Sequence, residues 1–138
     1  MQPQRNLQSM LELMPFAKTL GLCDLVVSPE RVSASLEWDA SRCTSGGILH
    51  GGALMAMADS VGGYCTIANL PPDSGTATIE SKTNFLRPVR QGRVHATARP
   101  LHVGRTVIVV DTELHDDEGR LVARTTQTQA VLPARVTG

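Results

Sequence analysis

Apolar positions follow three rhythms along the chain, and each predicts an element. From Asn6 to Leu20, the residues Leu7, Met10, Leu11, Leu13, Met14 and Ala17 recur at spacings of three and four, the stripe of an amphipathic helix. Pro15 interrupts the stripe, so within this helical segment of about 6–20 the helix proper is expected to reach about Met14 and a turn to follow. From Val32 to Trp38 apolar Val32, Ala34, Leu36 and Trp38 alternate with Arg31, Ser33, Ser35 and Glu37. With the strand-like Leu22–Ser28 and the turn Pro29-Glu30 before it, this predicts a half-buried antiparallel hairpin.

The third rhythm belongs to Gly52–Asn69, where apolar residues fall on every face and only Gly62 and Gly63 weaken a helix of about 51–69. A helix that is apolar all round is a buried one, so something must wrap it. Beyond the loop Pro71–Gly75 come four strand-like runs: Thr76–Leu86, Arg93–Leu101, Thr106–His115 and Arg120–Leu132. Their close spacing and tight turns favour an antiparallel meander. The expected architecture is α+β: one domain, residues 1–138, in which a single sheet curls round the long helix. Any part of the helix left open would pair with a second copy of the chain.

Composition narrows what such a domain can do. Thirteen basic and thirteen acidic residues cancel, and the only aromatics are Phe16, Trp38, Tyr64 and Phe85, so neither a phosphate-seeking field nor a base-stacking platform is present and nucleic acid is a poor partner. The long helix is shorter than a membrane span usually is and is interrupted by glycine. Cys23, Cys43 and Cys65 lack the number and spacing of a disulfide frame or a zinc site, so no metal is expected. The first residues carry no apolar signal core, which predicts a cytoplasmic protein.

Candidate chemistry sits in the long helix. Between Ile48 and Pro72 the one charged side chain is Asp59, and a lone carboxylate in an apolar helix is either satisfied or used. At the helix start, His50-Gly51-Gly52 leaves backbone N–H groups without side-chain cover, a place able to hold a developing oxyanion. The N-terminal dipole favours neutral imidazole, so His50 suits capping or loop orientation better than proton transfer. Nine positions separate His50 from Asp59, which puts them on opposite faces and about 13 Å apart along the axis. They are no dyad within one helix; if both serve one site, the second comes from another copy.

Three blocks in order carry a resemblance: Gly47-Ile48-Leu49-His50-Gly51-Gly52-Ala53 with Asp59, then Thr78-Ile79-Glu80-Ser81-Lys82-Thr83-Asn84-Phe85-Leu86-Arg87-Pro88, then Gly104-Arg105-Thr106. With the element order, they make the chain from about Leu11 to Leu132 resemble the hotdog-fold acyl-CoA thioesterases. The branch it looks most like is the PaaI-like one, with the Arthrobacter-type 4-hydroxybenzoyl-CoA thioesterases and human thioesterase superfamily member 2. The resemblance implies that Asp59 is the catalytic carboxylate, as general base or nucleophile. It implies that the Gly51 N–H binds the thioester oxygen beside His50 and Gly52, and that the Thr78 hydroxyl helps hold water. It also implies a coenzyme A groove along Phe85, Arg87, Pro88 and Arg90 and along His102, Gly104, Arg105 and Thr106, lying in a homodimer or homotetramer. Thr44 stands where relatives usually carry the Asn or Gln that places carbonyl or water.

Such an enzyme needs no cofactor, coenzyme A arriving as part of the acyl-CoA substrate. Ala53, Ala56 and Gly62 with Met55 and Met57 suggest an adaptable apolar pocket, compatible with aryl, arylacetyl or short to medium aliphatic chains. Two other readings share the groove: a non-catalytic acyl-CoA-binding protein, and a dehydratase of 3-hydroxyacyl thioesters. The latter would need a His and an acid brought together.

Overall fold

The computed structural model describes residues 7–134, with backbone alone for 7–9. The expected helix start at Asn6 and both ends of the expected 1–138 domain therefore lie outside the described residues. Helix α1 spans Leu7–Leu13 and α2 Pro15–Leu20. Residues 15–20 were expected as a turn, and they are helical because Pro15 occupies the first helical position, where its missing N–H costs nothing and its fixed φ suits the helix. Gly21 ends α2 at φ 98°, its N–H reaching the carbonyls of Ala17 and Lys18.

Strands β1 (Cys23–Val27) and β2 (Val32–Glu37) form the expected antiparallel hairpin. Two short 3-10 turns, Ala40–Arg42 and Ser45–Gly47, lead into α3, Gly51–Ala68. Strands β3 (Gly75–Phe85), β4 (Arg93–Val103), β5 (Val107–His115) and β6 (Leu121–Leu132) follow, and all six strands join one antiparallel sheet in the order β1-β2-β4-β5-β6-β3.

The meander expectation therefore holds for β4, β5 and β6 and fails for β3, which pairs with β6 at the edge. The chain reaches β4 from β3 by passing the ends of two strands, a step of about 14 Å at the usual strand spacing. Residues 86–92 are long enough for that. Along the way the N–H groups of Leu86 and Arg87 bond the Val122 carbonyl at 2.8 and 3.1 Å, and the Val89 carbonyl accepts from Leu49 N–H at 2.9 Å. The crossing is thus tied down at the very residue before His50.

Helix α3 lies in the hollow of the sheet. Its Leu54, Met57, Val61, Tyr64 and Cys65 are buried with Val32 and Leu36 of β2, Val94 of β4, Ile108, Val110 and Leu114 of β5, and Val122 of β6. Each Val, Leu, Ile and Met among them contributes about 1.5–3 kcal/mol on burial. Met57 is wholly core, so it lines no pocket, contrary to the sequence expectation. At the far end Asn69 Nδ2 bonds both Cys65 O and Pro29 O at 2.8 Å, tying the last turn to the β1–β2 turn.

The glycine pair does not break α3. Gly62 leaves room for the Gln127 amide rising from β6, and Gly63 for the Met14 methyl, which a Cβ there would meet at 2.9 Å. Nor is α3 buried on every side: Gly52, Met55 and Asp59 make an open stripe, because the sheet wraps only part of the helix and β3 remains an edge. Most of β3 is exposed on both faces.

Candidate active site

The site is built from the two ends of that open stripe. At the helix start His50 is the N-cap: its Nδ1 accepts the Gly52 N–H at 2.7 Å, while its own carbonyl accepts from Ala53 and Leu54. With Nδ1 committed as acceptor, His50 stands as a cap. The neighbouring Gly51 N–H bonds no acceptor among the described residues, so the helix start presents one unused donor. A Cβ on Gly51 would lie 3.3 Å from the Phe85 ring, which packs beside it. The bare glycine lets that ring lie close beside the free N–H without having to give way.

Asp59 lies in mid-helix without a hydrogen bond or ion pair among the described residues. It was expected as a buried carboxylate and is instead exposed on the open stripe, since no strand covers that side. Enough protein still surrounds it for desolvation to raise its pKa above the ordinary carboxylate value. His50 and Asp59 do not meet within the protomer, as the helical spacing predicts.

Thr78 faces the same opening from β3. Its Oγ1 accepts from Gln129 Nε2 at 2.9 Å, so a buried amide holds this hydroxyl; the Thr76 hydroxyl shares its proton between Ala130 O at 2.8 Å and Gln129 Oε1 at 3.1 Å. Thr83 and Thr125 share a further hydroxyl contact at 2.7 Å. Sequence reasoning missed this polar floor. Its signal was there: Thr125, Gln127 and Gln129 alternate along β6 on the face where the neighbouring strand β5 carries Ile108 and Val110.

Thr44 is exposed on the loop, its N–H bonded to Ile48 O and its side chain capping nothing. The two segments expected to line one coenzyme A groove are not neighbours. Arg87, Pro88 and Arg90 border an open cleft of about 770 Å³ against the β5–β6 turn, with Asp116, Asp117 and Arg120 opposite. Gly104, Arg105 and Thr106 form the β4–β5 turn and His102 lies just before it in β4, at the other end of the eleven-residue strand and roughly 33 Å away. Within one protomer they cannot hold one ligand. Gly104 is required there because a Cβ would meet Val107 O at 2.8 Å.

Among the described residues no helix is long and apolar enough to cross a membrane.

Comparison with known proteins agrees with this fold. The profile of the thioesterase superfamily matches residues 46–123, which include the loop, α3 and β3–β5. The Pseudomonas aeruginosa protein PA1618 is 34% identical over 115 residues, 83% of this chain and 79% of its own. A crystal structure of a single-site variant of it, described as a thioesterase, matches with a TM-score of 0.87 at 29% identity, covering 96% of this chain and 97% of that one. The Escherichia coli 1,4-dihydroxy-2-naphthoyl-CoA hydrolase is 29% identical over 106 residues, 77% of this chain and 78% of its own. Thioesterase HI1161 of Haemophilus influenzae, at 24% identity and a TM-score of 0.90 over 98% of this chain and 96% of that one, shares the fold. A helix wrapped by one antiparallel sheet, the superfamily match and these relatives place the chain in the thioesterase superfamily, as a hotdog-fold thioester hydrolase.

Proposed function

We propose that the chain hydrolyses acyl-CoA thioesters in a homodimer whose protomers join along β3. The observation that carries this reading is the unused Gly51 N–H at the start of α3 and the unpartnered Asp59 on its open stripe, too far apart on one helix to act together. A two-fold axis beside β3 runs the two edge strands antiparallel, so the Phe85 end of one protomer comes beside the Gly75 end of the other. That pairing brings Gly51 of one chain towards Asp59 of the partner subunit. It also brings Arg87 and Arg90 towards Arg105 of the partner subunit, which restores one groove for the phosphates of coenzyme A. The other edge suits pairing less: β1 has five residues and a register shift at Asp24.

In this site the Gly51 N–H donates a hydrogen bond to the thioester oxygen as negative charge develops on it. Asp59 of the partner subunit either takes a proton from the attacking water, or attacks the carbonyl itself to give a mixed anhydride that water then cleaves to the free acid; in both cases the thiolate of coenzyme A leaves. An oxyanion donor supplies about 10² to 10³-fold and a general base about 10² to 10⁴-fold. Neither role draws on a cofactor. Thr78, with its oxygen held by Gln129, keeps its hydrogen free to orient water.

The experiment is free-thiol release from aromatic and aliphatic acyl-CoAs by the parent and by Asp59→Asn. Turnover that falls by about two orders of magnitude or more in the variant supports the assignment. Equal rates would remove Asp59 from the reaction, and binding without turnover in the parent would favour an acyl-CoA-binding protein.

A further inference from the structure

Strand β3 carries two charged residues, Glu80 and Lys82, both exposed. Its register with β6 sets them opposite Thr128 and Thr126, on the face of the sheet away from α3. Ser81 and Thr83 stand opposite the buried Gln127 and Thr125, on the α3 face. Neither Glu80 nor Lys82 has an ion pair or a side-chain hydrogen bond among the described residues, and the charges of the neighbouring strands are already matched. Arg124 Nε lies 2.9 Å from Asp111 Oδ1, which also accepts from the Thr126 hydroxyl at 3.3 Å. Water alone can satisfy two exposed charges; what sets this pair apart is its order along a free edge.

A two-fold axis that joins two β3 strands edge to edge must respect their faces. Directly opposed residues of an antiparallel pair point to the same side, so the axis passes through a residue and never between two. An axis at Glu80 sets the two glutamates against each other, and an axis at Lys82 sets the two lysines. An axis at Ser81 sets Glu80 of each chain opposite Lys82 of the partner subunit, twice over. In directly opposed positions unlike charges attract and like charges repel. With Ile79 left out as the extra residue of the bulge, as it is against β6, the Ser81 axis pairs β3 from Thr76 to Phe85. Edge charges commonly keep other strands away; this order admits a second copy of the same strand.

We propose that Glu80 and Lys82 are the register lock of a dimer of this chain, with the two-fold axis at Ser81. The proposal rests on the edge-to-edge homodimer of the reading above and fixes what each subunit brings to the site. On the α3 face this register sets Thr78 of the partner subunit opposite Thr83, whose hydroxyl lies 2.7 Å from that of Thr125. It sets Thr76 of the partner subunit opposite Phe85, the ring beside Gly51. The hydroxyls of one β3 thereby enter the site that holds the other chain's Gly51. Moving the axis by one residue slides the chains about 7 Å past each other and takes Thr78 from Thr83 to Ser81 or to Phe85.

Cross-linking reads the register. Ser81→Cys puts two thiols on the axis, with Cα atoms about 4.5–5.5 Å apart, inside the span of a disulfide. In Glu80→Cys and Lys82→Cys the two copies are diagonal neighbours about 7–8 Å apart, beyond that span. With diamide as oxidant, Ser81→Cys is expected to run as a covalent dimer on a non-reducing gel, and the other two to match the parent with its own Cys23 and Cys43. Sedimentation equilibrium reads the charges. Glu80→Lys and Lys82→Glu each turn two attractive pairs into two repulsive ones, and each should raise the dimer Kd about tenfold or more. An equal mixture of the two variants restores both attractive pairs, so it should recover the parent affinity as a heterodimer, which also shows that both chains fold.

Capture at Glu80→Cys or Lys82→Cys in place of Ser81→Cys, or single reversals that leave the Kd unchanged, overturns the lock and leaves the β3 dimer standing. A parent that sediments as a monomer overturns the dimer itself. A parent dimer that none of the three thiols captures puts the subunit contact away from β3 and overturns both.

Discussion

The side-chain amide of Gln127 occupies the space into which a Cβ on Gly62 would project, so a β6 residue and a mid-helix glycine form one interlocking contact beneath the turn that carries Asp59. Gln127 is fully buried, and neither its Oε1 nor its Nε2 has a hydrogen-bond partner among the described residues. Gly62→Ala must push that amide aside in a closed core. We expect a loss of about 1–3 kcal/mol from overpacking, which equals or exceeds the gain of about 1 kcal/mol in helix propensity. Gly63→Ala meets only the mobile methyl of Met14, so the propensity gain should survive and leave it neutral or more stable. Urea unfolding of the two variants reads the contrast directly; equal losses would mean that Gln127 is not wedged against the helix.

In the proposed reaction Asp59 links activity to stability with a definite sign. Desolvation raises its folded pKa, so the stability it contributes is fully present below the unfolded carboxylate pKa and is lost as pH rises through the folded value. Asp59→Asn stays neutral throughout. The variant should melt above the parent near neutral pH, and the gap should close as pH falls below the ordinary carboxylate range of about 4. A gap that is constant with pH would show that the carboxyl is not desolvated.

The free edge of β3 makes the oligomeric state testable without touching the reacting groups. Ile79, 62% exposed at the register shift of β3, is a place where a charge should repel a second strand. Ile79→Asp is expected to shift the protein to monomer in sedimentation velocity and to lose turnover together with association. A stable dimer with full activity would place the subunit contact elsewhere.

His50 separates capping from catalysis. Removing the cap in His50→Ala leaves the Gly52 N–H unpaired, at a cost of about 0.5–2 kcal/mol. His50→Asn supplies another good cap and should recover most of the stability. If turnover follows stability across the two variants, the imidazole works by shaping the helix start. Turnover lost in both would give the ring a chemical role.

The sequence made the helices, the hairpin and the strand runs readable because each has its own apolar period: Val32, Ala34 and Leu36 alternate, while α3 is apolar almost throughout. It could not reveal that β3 leaves its sequence neighbour for β6, since strand order depends on pairings between distant residues such as Thr83 and Thr125. Asp59 and Gly51 stood out as a lone charge and a bare helix start. Glu80 and Lys82 did not, because only the strand order shows that they lie on a free edge.

Helix α3 carries the donor at its start and the carboxylate at its middle on one rigid rod. In the proposed dimer every rod therefore belongs to two reactions at once, giving its N–H to one and its Asp59 to the other. Mixtures of chains should reveal this by dosage. Subunits that lack only Asp59 silence one site per chain, so activity falls in proportion to their fraction. Subunits defective at both places silence both sites of any dimer they enter, and activity then falls as the square of the intact fraction.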